Sequence, residues 1–197
     1  MDDSTRCWKT KNPLLAKYHD EEWGVPLHDD TKLFEFLTLE AFQAGLTWEL
    51  VLNRREALKR AFDGFDPLII SKYTEADIER LMASPNMIRN KAKINATLNN
   101  AKKVIAIKRE FGSFDTYLWQ FVGNRTIDNS LKDFSEMPSQ SEESRKMSED
   151  LKKRGFKFVG PTICYALMQA VGMVNDHLIS CSQFRKNVIK NSQDEHT

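Results

Sequence analysis

The sequence predicts an all-α fold on three observations. Helical apolar spacing recurs along nearly the whole 197-residue chain, most such segments are bracketed by a capping residue and a glycine, and the two-residue alternation of a half-buried strand is weak throughout. That length buries a sizeable core as a single domain of two interleaved helical lobes, 1–182, leaving 183–197 as a polar, frayed C-terminal tail.

The elements follow in order. Asn12-Pro13 opens a first helix that Gly24 and Pro26 close. Asp30 serves as N-cap of a second, in which Leu33, Phe34, Phe36, Leu37, Leu39, Phe42 and Ala44 form a broad apolar side before Gly45 stops it. Thr47 caps a third helix running through Leu50, Val51, Ala57, Leu58 and Phe62. Asp66-Pro67 begins a short helix, and Thr74-Glu75-Ala76-Asp77 resembles a capping box. A long helix spans 87–111, ended by Gly112, and a short aromatic one spans 113–122, ended by Gly123. The polar stretch 124–144 reads as a loop separating the two lobes. Helix 144–154 stops at Gly155, Phe156-Lys157-Phe158-Val159-Gly160 makes a hairpin, and Pro161 sits at N1 of the next helix.

Charge and composition exclude some classes. Lys and Arg total 29 against 28 Asp and Glu, a net charge of +1, which rules out a strongly basic protein but not local basic surfaces. Arg89, Lys91, Lys93, Lys102, Lys103, Lys108 and Arg109 form one such run, which reads for the most part as a solvated helix face. The polar Met1-Asp2-Asp3-Ser4 start and the absence of a long apolar run lead us to expect a soluble, cytoplasmic monomer without a membrane partner. Three cysteines suit reduced thiols rather than a disulfide framework.

Two places carry candidate chemistry. Glu40 falls inside an apolar run, where an ionised carboxylate is costly without a partner or a cavity, and Trp48 lies just past the Gly45 turn, where a cleft can open. A half-exposed Glu and a core Trp are the plain alternatives. Cys7 with His19, and His177 with Cys181 four residues apart, make a complete tetrahedral set for a structural Zn²⁺ that would tie the two ends together; buried thiols and surface histidines are the alternative. The amide-rich start of the helix after the hairpin, with Lys152, Lys153, Arg154 and Lys157 beside it, suits a DNA phosphate, or else is an ordinary helical corner. Cys164 reads as core, and His28 and His196 have no evident partner.

Four blocks in this order, Tyr18-His19-Asp20-Glu21-Glu22-Trp23-Gly24-Val25-Pro26, Leu39-Glu40 with Gln43-Ala44-Gly45-Leu46-Thr47-Trp48, Lys152-Lys153-Arg154-Gly155-Phe156-Lys157-Phe158-Val159-Gly160 and Asn175-Asp176-His177, resemble the 3-methyladenine DNA glycosylase I family of the helix–hairpin–helix glycosylase superfamily. The likeness covers nearly all of 6–181. It implies a helix–hairpin–helix glycosylase-like fold, Zn²⁺ held by Cys7, His19, His177 and Cys181, and excision of N3-methyladenine from double-stranded alkylated DNA by base flipping. It assigns Glu40 as the catalytic and base-recognising acid, Tyr18, Trp48 and Trp8 as further base contacts, and Gly45, Leu46, Lys157, Gly160 and Thr162 as DNA contacts, with Leu46 entering the gap left by the flipped nucleotide. The superfamily commonly places an aspartate a little beyond the hairpin. Here 168–174 holds no carboxylate, so no separate catalytic Asp is expected, and Asp176 is expected to support the metal site. Two positions depart from the family pattern: Leu15 stands where an aromatic is usual, removing a stacking wall, and Trp8 lies one residue closer to Cys7. The competing functional readings are a zinc-stapled helical DNA-binding module without catalysis and a purely structural helical domain.

Overall fold

The computed structural model describes residues 6–184 and is mostly helical. Helices α1 (Pro13–Glu21), α2 (Asp30–Gln43) and α3 (Trp48–Ala61) are followed by the short α4 (Pro67–Ile70), α5 (Glu75–Ala83) and the long α6 (Lys91–Phe111). Next come α7 (Phe114–Trp119), α8 (Glu142–Lys153) and α9 (Pro161–Ala170). Among the described residues no helix is long and apolar enough to cross a membrane.

The caps read from sequence recur with small shifts that have local causes. Asn12, Thr47 and Asp66 accept from the first-turn amides of α1, α3 and α4 as expected, and Thr74 and Asp77 form the capping box of α5. The cap of α2 is Asp29 rather than Asp30. Asp29 has the extended backbone a cap needs and accepts from Lys32 N–H, while the Asp30 carboxylate accepts from Asp115 N–H and from Lys108 Nζ. Helix α6 starts at the Asn90 cap, not at Met87, because Asn86 turns the chain with φ 60° and Met87 is folded into the core. Likewise Ser141 caps α8, three residues ahead of the expected start.

Helix α2 is the centre of the molecule, packed by α3, α6, α7 and α9. All of 33–42 is buried on it, with Leu33, Phe34, Leu37, Leu39 and Phe42 fully so. Burying each such side chain stabilises by roughly 1.5–3 kcal/mol, which makes α2 a rigid mount for whatever polar group it carries.

The stretch 124–144 is tied down rather than a free connector. Its strand β1 (Ile127–Asp128) pairs in parallel with β2 (Val174–Asn175), a 3₁₀ turn occupies Phe134–Glu136, and Leu131 O accepts from Ile179 N–H. Gln183 is buried with its amide on Cys181 Sγ, so packed chain continues past the expected start of the tail; His196 and the rest of 185–197 lie outside the described residues.

The basic run on α6 is not uniformly a solvated face. Lys91 pairs with Glu75, and Lys93 is buried, its Nζ donating to Phe42 O at 2.7 Å and Ala44 O at 2.6 Å at the C-terminal end of α2. Arg154, expected to add charge beside the hairpin, is engaged by Glu110 and Asp150 and lies over the Phe111 and Tyr117 rings. His28, expected without a partner, bonds Asp115 at 2.8 Å against the Trp119 ring. Cys164 is core, as expected, and burial pushes its thiol up to about 12.

Candidate functional site

Two adjoining cavities open where the α2–α3 turn faces α9. The inner one, about 190 Å³, is walled by Trp8, Tyr18, Trp23, Glu40, Trp48 and Gln169, with Met137 at its edge. The outer one, about 270 Å³, runs between Gly45–Leu46 and Thr162–Ile163 and shares Glu40, Gln43 and Ala166 with the first. Together they offer a slot for one planar group with an opening beside the turn.

Glu40 is buried at 4 % exposure, and its Oε2 has no hydrogen-bond partner. Burial alone pushes its carboxyl up to about 8. Five residues earlier on the same helix the buried Glu35 is neutralised by Arg55 at 2.6 Å, so the fold has a means of pairing a buried acid and leaves Glu40 without one. The indole Nε1 atoms of Trp8 and Trp48 are also buried without partners. Three orphaned polar atoms around one cavity are what a site built for a polar ligand looks like before it is filled.

The aromatic walls brace each other. Tyr18 lies 5.1 Å from Trp48 between ring centroids, and Trp8 sits 4.7 Å from Trp23. Burial, then the nearby Glu40 and Glu22 carboxylates, raise the Tyr18 phenol well above its usual range, so it stays a neutral hydroxyl. Leu15 does not line the cavity; Trp8, Trp23 and Met137 line it together with Trp48.

The turn is set by sequence. Gly45 has φ +77°, Leu46 N–H donates back to Gln43 O, and Leu46 is left 39 % exposed at the rim. Across the rim, Gly160 begins α9 with no side-chain cap, so its first amides are open, and Thr162 faces Gly45 and Leu46. Lys157 is exposed, its backbone clasped by Asn100 through both N–H and C=O, and it borders a separate groove with Asn95, Asn99 and Phe158.

Behind the aromatic walls, Cys7, His19, His177 and Cys181 converge, with their four donor atoms within 4.8 Å of one another. Three of the four sulfur-to-nitrogen separations are 3.3 to 3.5 Å, close to the roughly 3.6 Å that tetrahedral Zn–S and Zn–N bonds of about 2.3 and 2.0–2.1 Å would give. The ring nitrogens not facing the cluster are used elsewhere: His19 Nδ1 meets Asp20 at 2.8 Å and His177 Nε2 meets Trp23 O at 2.9 Å, which turns His19 Nε2, approached also by Cys7 N–H at 3.2 Å, and His177 Nδ1 toward the sulfurs. Arg6 bonds Asp20 in turn and holds its carboxyl down at about 2. Amides of Leu178 and Gln183 point at the two sulfurs, and a hydrogen bond from Cys7 lowers Cys181. The donor set therefore fits a closed metal site. Asp176, expected to support it, does not contact a ligand ring; its oxygens accept from Asn129, Tyr165 and Gln169.

A family model of methyladenine glycosylases matches residues 8–186. The chain belongs to that family. Among its methyladenine-glycosylase relatives, the DNA-3-methyladenine glycosylase of Haemophilus influenzae is 44% identical over 179 residues, covering 90% of this chain and 97% of that protein. DNA-3-methyladenine glycosylase 1 of Escherichia coli is 43% identical over 183 residues, 92% of this chain and 98% of the relative. A crystal structure of a 3-methyladenine DNA glycosylase I superposes with a TM-score of 0.87 at 43% identity, over 90% of this chain and 98% of the other. A variant of such an enzyme in complex with 3-methyladenine superposes at 0.88 with 35% identity, over 91% and 96%.

Sequence reasoning therefore named most of the cavity: Trp8, Tyr18, Glu40 and Trp48 are brought together, and Gly45, Leu46 and Thr162 line its mouth. It missed Gln43, Met137 and Gln169 as lining residues and gave Trp23 no role. Gln43 and Gln169 were findable: each sits at helical spacing from a named cavity residue, three from Glu40 and seven from Thr162.

Proposed function

We propose that this chain is a monofunctional DNA-3-methyladenine glycosylase that flips N3-methyladenine out of alkylated double-stranded DNA into the Glu40 cavity and hydrolyses its N-glycosidic bond. The observation that carries this reading is the buried Glu40 carboxyl, its Oε2 unpartnered, in a cavity that it lines together with Trp8 and Trp48, in a member of the methyladenine glycosylase family.

Methylation at N3 gives the base a positive charge, so the bond between C1′ and the base breaks with its electron pair passing to the base and no prior protonation. Water supplies the oxygen to C1′ and gives up a proton. What the protein must do is select the lesion and offset the cost of extrusion, roughly a few kcal/mol. Glu40 accepts from the amino edge and, once ionised, attracts the cation; Tyr18 adds a polar contact, and Trp48 and Trp8 cover the ring faces. Asp176 is fully committed to three neighbours, in keeping with a reaction that uses no separate aspartate.

Leu46, on the Gly45 turn, fills the gap in the stack. The α8–turn–α9 unit acts as a helix–hairpin–helix, with Lys157, the Gly160 backbone and Thr162 gripping phosphate at the uncapped start of α9. Cys7, His19, His177 and Cys181 hold a structural Zn²⁺ whose role is to pin residues 6–23 to the C-terminal segment. The enzyme acts as a monomer in the cytoplasm. The non-catalytic alternative, a zinc-stapled DNA-binding module, has no structural feature of its own in its favour.

The test is incubation of the chain with methylated duplex DNA and identification of the released base. Free 3-methyladenine is expected; salt-sensitive DNA binding without release would leave the non-catalytic module.

A further inference from the structure

Asp176 is completely buried, and the directions of the hydrogen bonds around it are fixed by chemistry. The Asn129 amide NH₂ donates both to the Tyr165 oxygen at 3.2 Å and to Asp176 Oδ1 at 2.6 Å. Tyr165, already accepting, spends its single proton on Asp176 Oδ2 at 2.8 Å. The third partner is Gln169, whose Nε2 reaches the same Oδ2 at 2.8 Å. A carboxylate that accepts everywhere can take only the NH₂ end of an amide, so the orientation of Gln169 is determined. Its carbonyl Oε1 is the end left over, and among the described residues no donor is bonded to it.

Gln169 stands on the stripe of α9 that faces the two cavities, with Thr162, Ile163 and Ala166, and lines the inner one with Glu40 and Trp48. Its backbone is fixed as well, since Gly24 N–H donates to Gln169 O at 2.9 Å. The result is a rigid, neutral acceptor on a residue that lines the same cavity as the unpaired Glu40 carboxyl.

We propose that Gln169 is a specificity-determining residue: its carbonyl, oriented by Asp176, accepts from the exocyclic amino group of the lesion and rejects a methylated purine carrying a carbonyl at that position. The proposal rests on the reading of this cavity as the base pocket. An amino group facing two acceptors is bonded, whereas a purine carbonyl facing them is left unpaired and repelled, and sites built on hydrogen bonding discriminate most strongly against such analogues. Asp176 is then a positioning residue that never touches the base.

The experiment compares single-turnover release of 3-methyladenine and 3-methylguanine from duplex DNA carrying both, for the wild-type chain, Asp176→Asn and Gln169→Met. In Asp176→Asn the new amide nitrogen can demand an acceptor from Gln169, turning that amide over and presenting its NH₂ to the cavity. Gln169→Met keeps the bulk and removes the acceptor. The preference for 3-methyladenine over 3-methylguanine is expected to fall about tenfold or more in each variant, with metal content unchanged. A preference that stays constant while both rates drop together would make Gln169 and Asp176 packing residues and overturn the proposal. Should Asp176→Asn fail to fold, Gln169→Met alone decides between these outcomes. Glu40→Ala in the same assay separates the two levels: if it leaves both rates unchanged, the cavity is not the base pocket; if it abolishes them while the preference in Gln169→Met is constant, only the role of Gln169 is lost.

Discussion

Capture of a cationic base is expected to expel a proton from Glu40. Burial holds this carboxyl at about 8, so at pH 7 about nine-tenths of free protein molecules carry it protonated. Ionising it at that pH costs about 1.4 kcal/mol. A unit positive charge about 4 Å away, at an effective dielectric near 20, returns about 4 kcal/mol. The attraction exceeds the cost by roughly 2–3 kcal/mol, so the bound state carries the carboxylate, and a neutral isostere forfeits roughly 30- to 150-fold in affinity. The assay is titration calorimetry at pH 7 in two buffers of different ionisation enthalpy. One duplex carries a 2′-fluorinated, hydrolysis-resistant N3-methyladenine nucleotide and the other its neutral 3-deaza counterpart. About 0.9 proton released per cationic lesion, none with the neutral one, and fading release by pH 9 are expected. Equal proton release for the two duplexes, or release that persists in Glu40→Gln, would refute the reasoning.

Three further outcomes follow from the same contacts. Because the folded protein keeps Glu40 protonated far above the unfolded value of 4.5, the contribution of this group to stability is fully present below about pH 4.5 and is lost as pH rises toward 8; Glu40→Gln should therefore raise the melting temperature by several degrees at pH 7–8 and hardly at all near pH 4.5, which a thermal scan at both pH values checks. His177→Ala should lose bound zinc and stability together, measured by metal analysis and denaturant titration, and full zinc retention would count against the ligand set. Lys93→Met strips one buried and one part-buried carbonyl at the end of α2 of their cation and should cost about 1–3 kcal/mol in chemical denaturation, where a wholly solvated lysine would cost nothing measurable.

The parts of the fold that were legible in the sequence are those set by neighbours in the chain. Thr47 caps α3 and Gly45 adopts its positive φ for reasons contained within a few residues, so the turn beside Glu40 could be placed from sequence, and with it the cavity mouth. Asp29 and Asp30 could not be told apart, since the choice depends on Asp115 and Lys108, some eighty residues away in the chain. The same limit hid Lys93, which looks like any surface lysine until α6 is laid across the end of α2. Stretch 124–144 read as a loop because its structure comes from pairing with Val174–Asn175 and from the Leu131 contact, neither of which leaves a local pattern. The convergence of Cys7 and His19 with His177 and Cys181 rests on chain ends meeting in space, and in the sequence only the matching ligand types and the family resemblance hinted at it.

The most direct measurement is single-turnover excision from methylated duplex DNA by the wild-type chain and by Glu40→Gln, with folding and zinc content checked in both. Release of 3-methyladenine by the wild type, and a rate reduced by about 30-fold or more in the variant, is expected. Equal rates in the two proteins would place recognition of the charged base somewhere other than the cavity between α2 and α9.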